Sequence, residues 1–279
     1  MKTLLRALVL LAVGVSASAQ ADAPTLKGRW IQGGMVQGQV APGSQVWFNQ
    51  TPLLVSEQGQ FALGLAINEP ASASLRVRAP GQGEQRFEFA VEQRQYDVQR
   101  INGLPSAMVN PPASVMAQIT RDIERVTSAR DRKSPSTEYA QGFIWPVSAR
   151  VSSVYGSRRV LNGEEKQPHF AVDLAAGKGT PIKASAAGTV SLARTDLYYT
   201  GGTVIIDHGQ GISTTYLHMS RVDVKAGQEV KQGEVIGQVG STGRATGPHL
   251  CWRANWYQTR LDPSLLIQDQ PARKGEVKR

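Results

Sequence analysis

"GQEVKQGEVIGQVGSTG", residues 227–243, decides the fold. Gly227, Gly233, Gly237, Gly240 and Gly243 recur at short intervals, with Val230, Val235, Ile236 and Val239 between them. Glycine at that density lets strands turn sharply and approach one another closely, as in small folded barrels. The texture extends outward on the N-terminal side. "GTPIKASAAGTVSLA", 179–193, and "GGTVIIDHGQGISTTYLHMS", 201–220, read as short strands joined by tight turns. Residues 143–267 are therefore predicted to form a glycine-rich β unit, a small barrel or folded sheet, with little helical signal.

Upstream the punctuation changes. From residue 26 to 91, short alternating runs are broken by Gly, Pro and Asn. Leu75 and Val77, then Phe87, Phe89 and Val91, stand two apart. Period two with such breaks predicts an antiparallel β-sandwich over 22–95. It contains no histidine and no titratable cluster, so its expected role is spacing, docking or plain structure. A linker, 96–142, follows. Within it Asn110-Pro111-Pro112 reads as a helix start, with Asn as cap and Pro in the first helical position. Val115, Met116, Ile119, Ile123 and Val126 continue at helical spacing, opposite Arg121, Asp122, Glu124 and Arg125. One amphipathic helix reaching about Arg132 is expected, then a polar loop. The fold class is all-β, with one linker helix. Residues 268–279 lack apolar periodicity and are expected to be disordered.

The first residues carry a different signal. Lys2 and Arg6 precede an apolar run, and Ala17-Ser18-Ala19 offers small residues for cleavage. This reads as a secretory signal peptide, 1–19, too short for a spanning helix. No later stretch has the length of a transmembrane segment. No cysteine lies near the cleavage site to carry a lipid. An exported, periplasmic protein is expected. The formal charge of +9 over 279 residues falls to +7 without the leader. Export argues against nucleic acid as the partner of this basic chain, and an anionic wall polymer or membrane surface fits better.

The chemistry concentrates in the C-terminal unit. All four histidines, His169, His208, His218 and His249, lie there with the single cysteine, Cys251. In "PHFAVD" His169 and Asp173 stand four apart; imidazole and carboxylate are standard zinc ligands. In "YLH" period two sets His218 on the face of Tyr216. In "TGPHLCW", 246–252, His249 and Cys251 share one strand face and Leu250 the other. His208, before a glycine turn, reads as a turn histidine bonded to backbone. A lone exported thiol has no partner within its chain, so Cys251 either packs as a small apolar residue or holds something.

"PHFAVDLAAGKGTPIKASAAGTV", "IDHGQGISTTYLHMS" and "GQEVKQGEVIGQVGSTGRATGPHL" together resemble the lysostaphin-type zinc endopeptidases of bacterial cell walls. The resemblance covers residues 143–267 in several ordered motifs. More loosely, "QRINGLPSAMVNPP" and the sandwich resemble exported members with an N-terminal β-domain. The resemblance implies Zn²⁺ held by His169, Asp173 and the residue at position 251, with His218 and His249 as the catalytic pair. The family's third ligand is normally histidine, and here it is Cys251. With two anionic ligands the formal charge at zinc is 2 − 1 − 1 = 0 instead of +1. Slower hydrolysis, or a need for alkaline pH, is then expected. The implied function is hydrolysis of peptide cross-links in peptidoglycan, with an envelope protein as a further possible regulator. Two rivals share the fold: an inactive relative that activates wall amidases, and a wall-binding module. Which of His218 and His249 serves as base is left open. The "GSTGRATG" loop and the "RTDLYYTGG" turn are expected to wall the cleft, with Tyr198 or Tyr199 on the peptide.

Overall fold

The computed structural model of the protein describes residues 23–103 and 106–267. The expected signal peptide and C-terminal tail lie outside the described residues. Among the described residues no helix is long and apolar enough to cross a membrane.

The N-terminal part contains β1 (Thr25–Gly28), β2 (Met35–Gln39), β3 (Gln45–Phe48), β4 (Thr51–Pro52), β5 (Gln60–Gly64), β6 (Ser72–Arg78) and β7 (Glu84–Ala90). They form two antiparallel sheets, β1-β2-β5 and β4-β3-β6-β7. The period-two pattern works as expected at β6, where Leu75 and Val77 are buried and Leu75 faces Phe87 across the ladder.

The segment read as a linker is more than that. It supplies β8 (Val98–Ile101), a short helix α1 (Ser106–Val109) and a longer one, α2 (Ala113–Arg130). Asn110 does not cap α2. Pro112 occupies that position without a side-chain cap, while the Asn110 amide donates to Glu164 Oε1 at 2.7 Å and its oxygen accepts from Lys166 Nζ at 3.2 Å. The expected apolar stripe is also half wrong. Ile119 is buried, yet Met116 and Ile123 are 46% and 59% exposed, and Asp122 from the polar set is buried instead. A single helix turn, Glu138–Gln141, buries Tyr139 in the stretch expected as a polar loop.

The remainder comprises β9 (Arg150–Ser153), β10 (Arg158–Leu161), β11 (Glu164–Lys166), β12 (Val172–Ala175), β13 (Pro181–Lys183), β14 (Gly188–Leu197), β15 (Gly201–Asp207), β16 (Ile212–Met219), β17 (Arg221–Val222), β18 (Glu229–Val230), β19 (Val235–Gln238), β20 (Leu250–Trp256) and β21 (Thr259–Leu261). The main sheet runs β18-β14-β15-β16-β20-β12-β9, with β21 added to β20. It is an open sheet with two edges, so the folded-sheet alternative applies and the barrel does not close. A small sheet, β13-β19-β17, lies beside it. The glycines are required there: a Cβ at Gly237 would lie 2.2 Å from the Arg221 carbonyl oxygen, and one at Gly240 would lie 2.5 Å from the Ser220 nitrogen.

One face of the main sheet buries Val172, Leu174, Tyr216, Leu250 and Trp252 in a core with Ile182, Ile236 and Val239. A second core joins the two halves of the chain. Phe61, Leu63 and Leu75 of the sandwich pack in the same cluster as Tyr139, Phe143, Ile212, Trp256 and Leu261. Strand β8 crosses the divide too, pairing in parallel with β10, which in turn pairs with β11.

Candidate metal centre

Register builds the site. Across β12, β20 and β16 the row Asp173–Cys251–Leu217 is in step, and the neighbouring row is Val172–Trp252–Tyr216. Side chains alternate across a sheet. The second row enters the core, so Asp173 and Cys251 stand as cross-strand neighbours on the opposite face. His249 lies on that face two residues before Cys251, and Leu250 is in the core as expected. His169 comes from the turn before β12. That turn is pinned by the His169 amide donating to the Ser157 carbonyl and the Gly156 amide donating to the His169 carbonyl, both at 2.8 Å.

His218 corrects the period-two reading. Tyr216 lies in the core, whereas His218 lines the cleft with His169 and Cys251. The pairing of β15 with β16 slips between Gly202 and Val204, and His218 has φ 64°. This local irregularity turns the imidazole from the core face to the site face.

The three candidate ligand atoms of His169, Asp173 and Cys251 all lie within 4.8 Å of one another, and all three residues are buried. His169 Nε2 is 2.9 Å from Asp173 Oδ1, yet neither atom has a hydrogen bond of acceptable geometry. Two buried polar atoms that approach without bonding are aimed at a common point, and a cation between them would satisfy both. Nitrogen, oxygen and sulfur form a zinc-type donor set. The residues present therefore fit a zinc ion. Cys251 also touches Ala171 and Leu217 in a small apolar cluster, so its packing role and its place among the three donors coexist.

His218 and His249 flank this group, with ring centroids 4.9 Å apart. His218 Nδ1 is 2.8 Å from the Thr242 carbonyl oxygen, and His249 Nδ1 is 2.9 Å from that of Gly247. A carbonyl only accepts, so the neutral tautomer of either ring would carry its proton on Nδ1 and leave Nε2 bare. His249 Nε2 is 3.9 Å from Asp173 Oδ1. His208 stands apart, bonded to the Ala187 carbonyl at 2.6 Å and Thr214 Oγ1 at 2.7 Å. It is the backbone-bonded turn histidine that its setting suggested.

Burial alone would raise the Asp173 carboxyl, but His169, His249 and Arg159 around it hold it at about 2. Burial pushes the Cys251 thiol up to about 12, with Asp173 adding to the rise and Arg253 opposing it. Burial lowers His218 to about 4, so its ring is neutral at physiological pH.

The cleft has a volume of about 350 Å³. The 244–249 loop and Tyr199 wall it, as does β8 through Gln99 and Ile101; Tyr198 is not among its lining residues. Three arginines, Arg159, Arg244 and Arg253, also line it; Arg244 sits on the loop expected to wall the cleft, but none of the three stood out in the sequence. Arg253 was legible, since it continues the alternation His249, Cys251, Arg253 on one face. Arg159, with Nη2 3.5 Å from Asp173 Oδ2, arrives on β10 and had no local signal.

A histidine, a carboxylate and a thiol converge in one cleft beside two further imidazoles, a group that could hold a metal ion as a metallopeptidase-type centre would. The profile of Peptidase family M23 matches residues 167–263. A crystal structure assigned to peptidase M23 from Pseudomonas aeruginosa is 32% identical, with a TM-score of 0.67 over 86% of this chain and 95% of that one. The chain belongs to peptidase family M23. Among curated relatives, the peptidoglycan DD-endopeptidase ShyA of Vibrio cholerae is 42% identical over 109 residues, 38% of this chain and 25% of that protein. The DD-carboxypeptidase/endopeptidase Mpg of Neisseria meningitidis is 43% identical over 125 residues, 45% of this chain and 29% of that protein. The matches thus span under a third of those two relatives' lengths.

Proposed function

We propose that the protein is a zinc-dependent endopeptidase that hydrolyses peptide cross-links of peptidoglycan in the cell envelope, reached by export through its N-terminal leader. The observation that carries this reading is the convergence of His169, Asp173 and Cys251 beside His218 and His249. The names of the two curated relatives support the substrate class.

His169, Asp173 and Cys251 would hold the ion. When bound, zinc supplies Lewis acidity toward a peptide carbonyl and polarises water for attack. Cys251, whose thiol burial pushes up to about 12, would join the site as a thiolate only with a cation beside it. The chain's own residues do the rest. The bare Nε2 of one of His218 and His249 accepts a proton from the attacking water, and the other imidazole hydrogen-bonds the charge that develops on the carbonyl oxygen. Thr242 and Gly247 carbonyls fix both rings in the tautomer this requires. Asp173, held at about 2, stays an anion across the working pH range.

Metal analysis beside wall digestion tests the reading. Purified protein is expected to hold one zinc and to release soluble fragments from isolated walls. Cys251→Ala is expected to lose most of its zinc and its cleavage while keeping the native fold by circular dichroism. A metal-free wild type that binds walls without releasing fragments would instead favour a wall-binding or amidase-activating role.

A further inference from the structure

The face of the main sheet that carries the candidate metal ligands continues past them. On β20, Arg253 and Asn255 follow His249 and Cys251 at period two. Thr215 and Ser213 of β16 stand opposite them in the ladder, and Arg260 of β21 stands opposite Asn255 from the other side. Helix α2 ends over this part of the face. Gln258, in the β20–β21 turn, donates to the Thr127 carbonyl at 3.0 Å, and Arg132 reaches Asp207 Oδ2 at 3.3 Å. Between these two anchors in the chain lies Arg130, only 4% exposed.

What this region lacks is an acceptor. Arg130 Nε, Arg253 Nε, Ser213 Oγ and Thr215 Oγ1 are all buried without a hydrogen bond. The guanidinium nitrogens can only donate, and both hydroxyls are able to donate. Buried polar groups of this kind are normally paired. Negative charge is missing as well. The charged groups that act on Arg130 are Arg260 and Arg253, and Arg253 also acts on Arg260. The Arg260 guanidinium meets the neutral Asn255 Oδ1 at 3.5 Å and the Phe170 ring, with 5.9 Å to its centroid. Nearby acids are committed elsewhere, Asp262 to Arg94 at 2.9 Å and Asp207 to Arg132 at 3.3 Å, while Asp131 is exposed. A water molecule could take the donor hydrogens but would leave like charges facing one another. An anion answers both needs.

We propose that Arg130, Arg253 and Arg260, with the Ser213 and Thr215 hydroxyls, bind a small tetrahedral oxyanion, inorganic phosphate or sulfate, beneath the last turn of α2. The planar guanidinium fork suits the oxygens of such an ion, and burial under the helix favours a small one. The site is separate from the metal centre, because Arg130 and Arg260 are not among the residues that line the cleft. It does not depend on the endopeptidase reading. An ion there ties the end of α2 to the sheet. The same helix holds the Tyr198 amide through Asp122 Oδ2 at 2.9 Å, next to Tyr199 of the cleft wall.

The test melts the full-length zinc-loaded protein in phosphate, in sulfate and in sodium gluconate at matched ionic strength. Phosphate or sulfate at about 20 mM should raise Tm by about 3 °C or more over gluconate. The larger of the two shifts identifies the ion. In Arg130→Met the shift should fall to within about 1 °C. Equilibrium dialysis against the radiolabelled ion should find one bound equivalent fewer in Arg130→Met than in wild type. Should Arg130→Met fail to fold, Arg260→Gln carries the same two readings. A wild-type Tm indifferent to both ions would overturn the site. A shift or a bound ion that persists unchanged in the folded variants would also overturn it, because the ion would then sit at the metal or act through the whole surface.

Discussion

At φ 64°, His218 holds a conformation that ordinary side chains avoid, and the site depends on it. Asparagine tolerates that region far better than a β-branched residue. His218→Asn is therefore expected to melt close to wild type, and His218→Val to lose about 1–2 kcal/mol of stability. Both should lose turnover by roughly 10²-fold or more, because the bare Nε2 is gone. Thermal melts beside wall digestion would check the pair; a stable Val variant would remove the strain argument. His208 makes a different prediction. Fully buried, it is held down at about 4 by its surroundings against 6.5 in the unfolded chain. The unfolded chain binds the extra proton between those values, so the stability from keeping His208 neutral is complete above pH 6.5. It is lost as pH falls toward 4. The loss is about 2 kcal/mol between pH 7 and 5, and about 3 kcal/mol below pH 4. Urea melts of the metal-free protein at both pH values should show a shallower pH dependence for His208→Gln than for wild type.

Helix α2 acts at the scale of elements. Asp122 Oδ2 accepts from the Tyr198 amide at 2.9 Å, and the Gln118 amide donates to the Asp196 carbonyl at 3.3 Å. The helix thus braces the tip of the β14–β15 hairpin, whose Tyr199 walls the cleft. Asp122→Ala leaves the half-buried Tyr198 amide without this acceptor and should cost about 1 kcal/mol. It should raise KM on wall fragments more than it lowers kcat, at constant zinc content; an unchanged KM would free the hairpin from the helix. None of this could be read from helical spacing. The period-3.6 pattern found α2 but set Asp122 with the solvent face, because its partner lies 76 residues away. Strand alternation, by contrast, paired His249 with Cys251 and put Leu250 in the core, since that pattern is purely local. It failed one strand over, at His218, where a slip in the ladder breaks the period. The spacing in "PHFAVD" and "TGPHLCW" put two imidazoles, a carboxylate and a thiol in view, and only the family resemblance singled out His169, Asp173 and Cys251 as candidate ligands; the arginine supplied by β10 needed the fold.

For the molecule as a whole, the shared core is the controlling feature. Phe61 and Leu63 of the sandwich and Ile212, Trp256 and Leu261 of the main sheet's surroundings lie in one cluster. Gly64 lets the halves approach: a Cβ there would sit 2.6 Å from Trp256 Cβ and 2.8 Å from Leu261 Cδ2. Cores of this kind melt together, so calorimetry of the full chain should give one cooperative transition. Trp256→Ala should cost about 3–5 kcal/mol of that single event. Two separated peaks would contradict the joint core. The parallel pairing of β8 with β10 has a practical corollary for anyone recombining relatives. Gln99 and Ile101 travel with the chain's front half by position but furnish the cleft by geometry. A chimera joined at residue 142 would import a foreign panel beside the reacting bond, whereas a junction upstream of residue 96 would transplant the pocket whole.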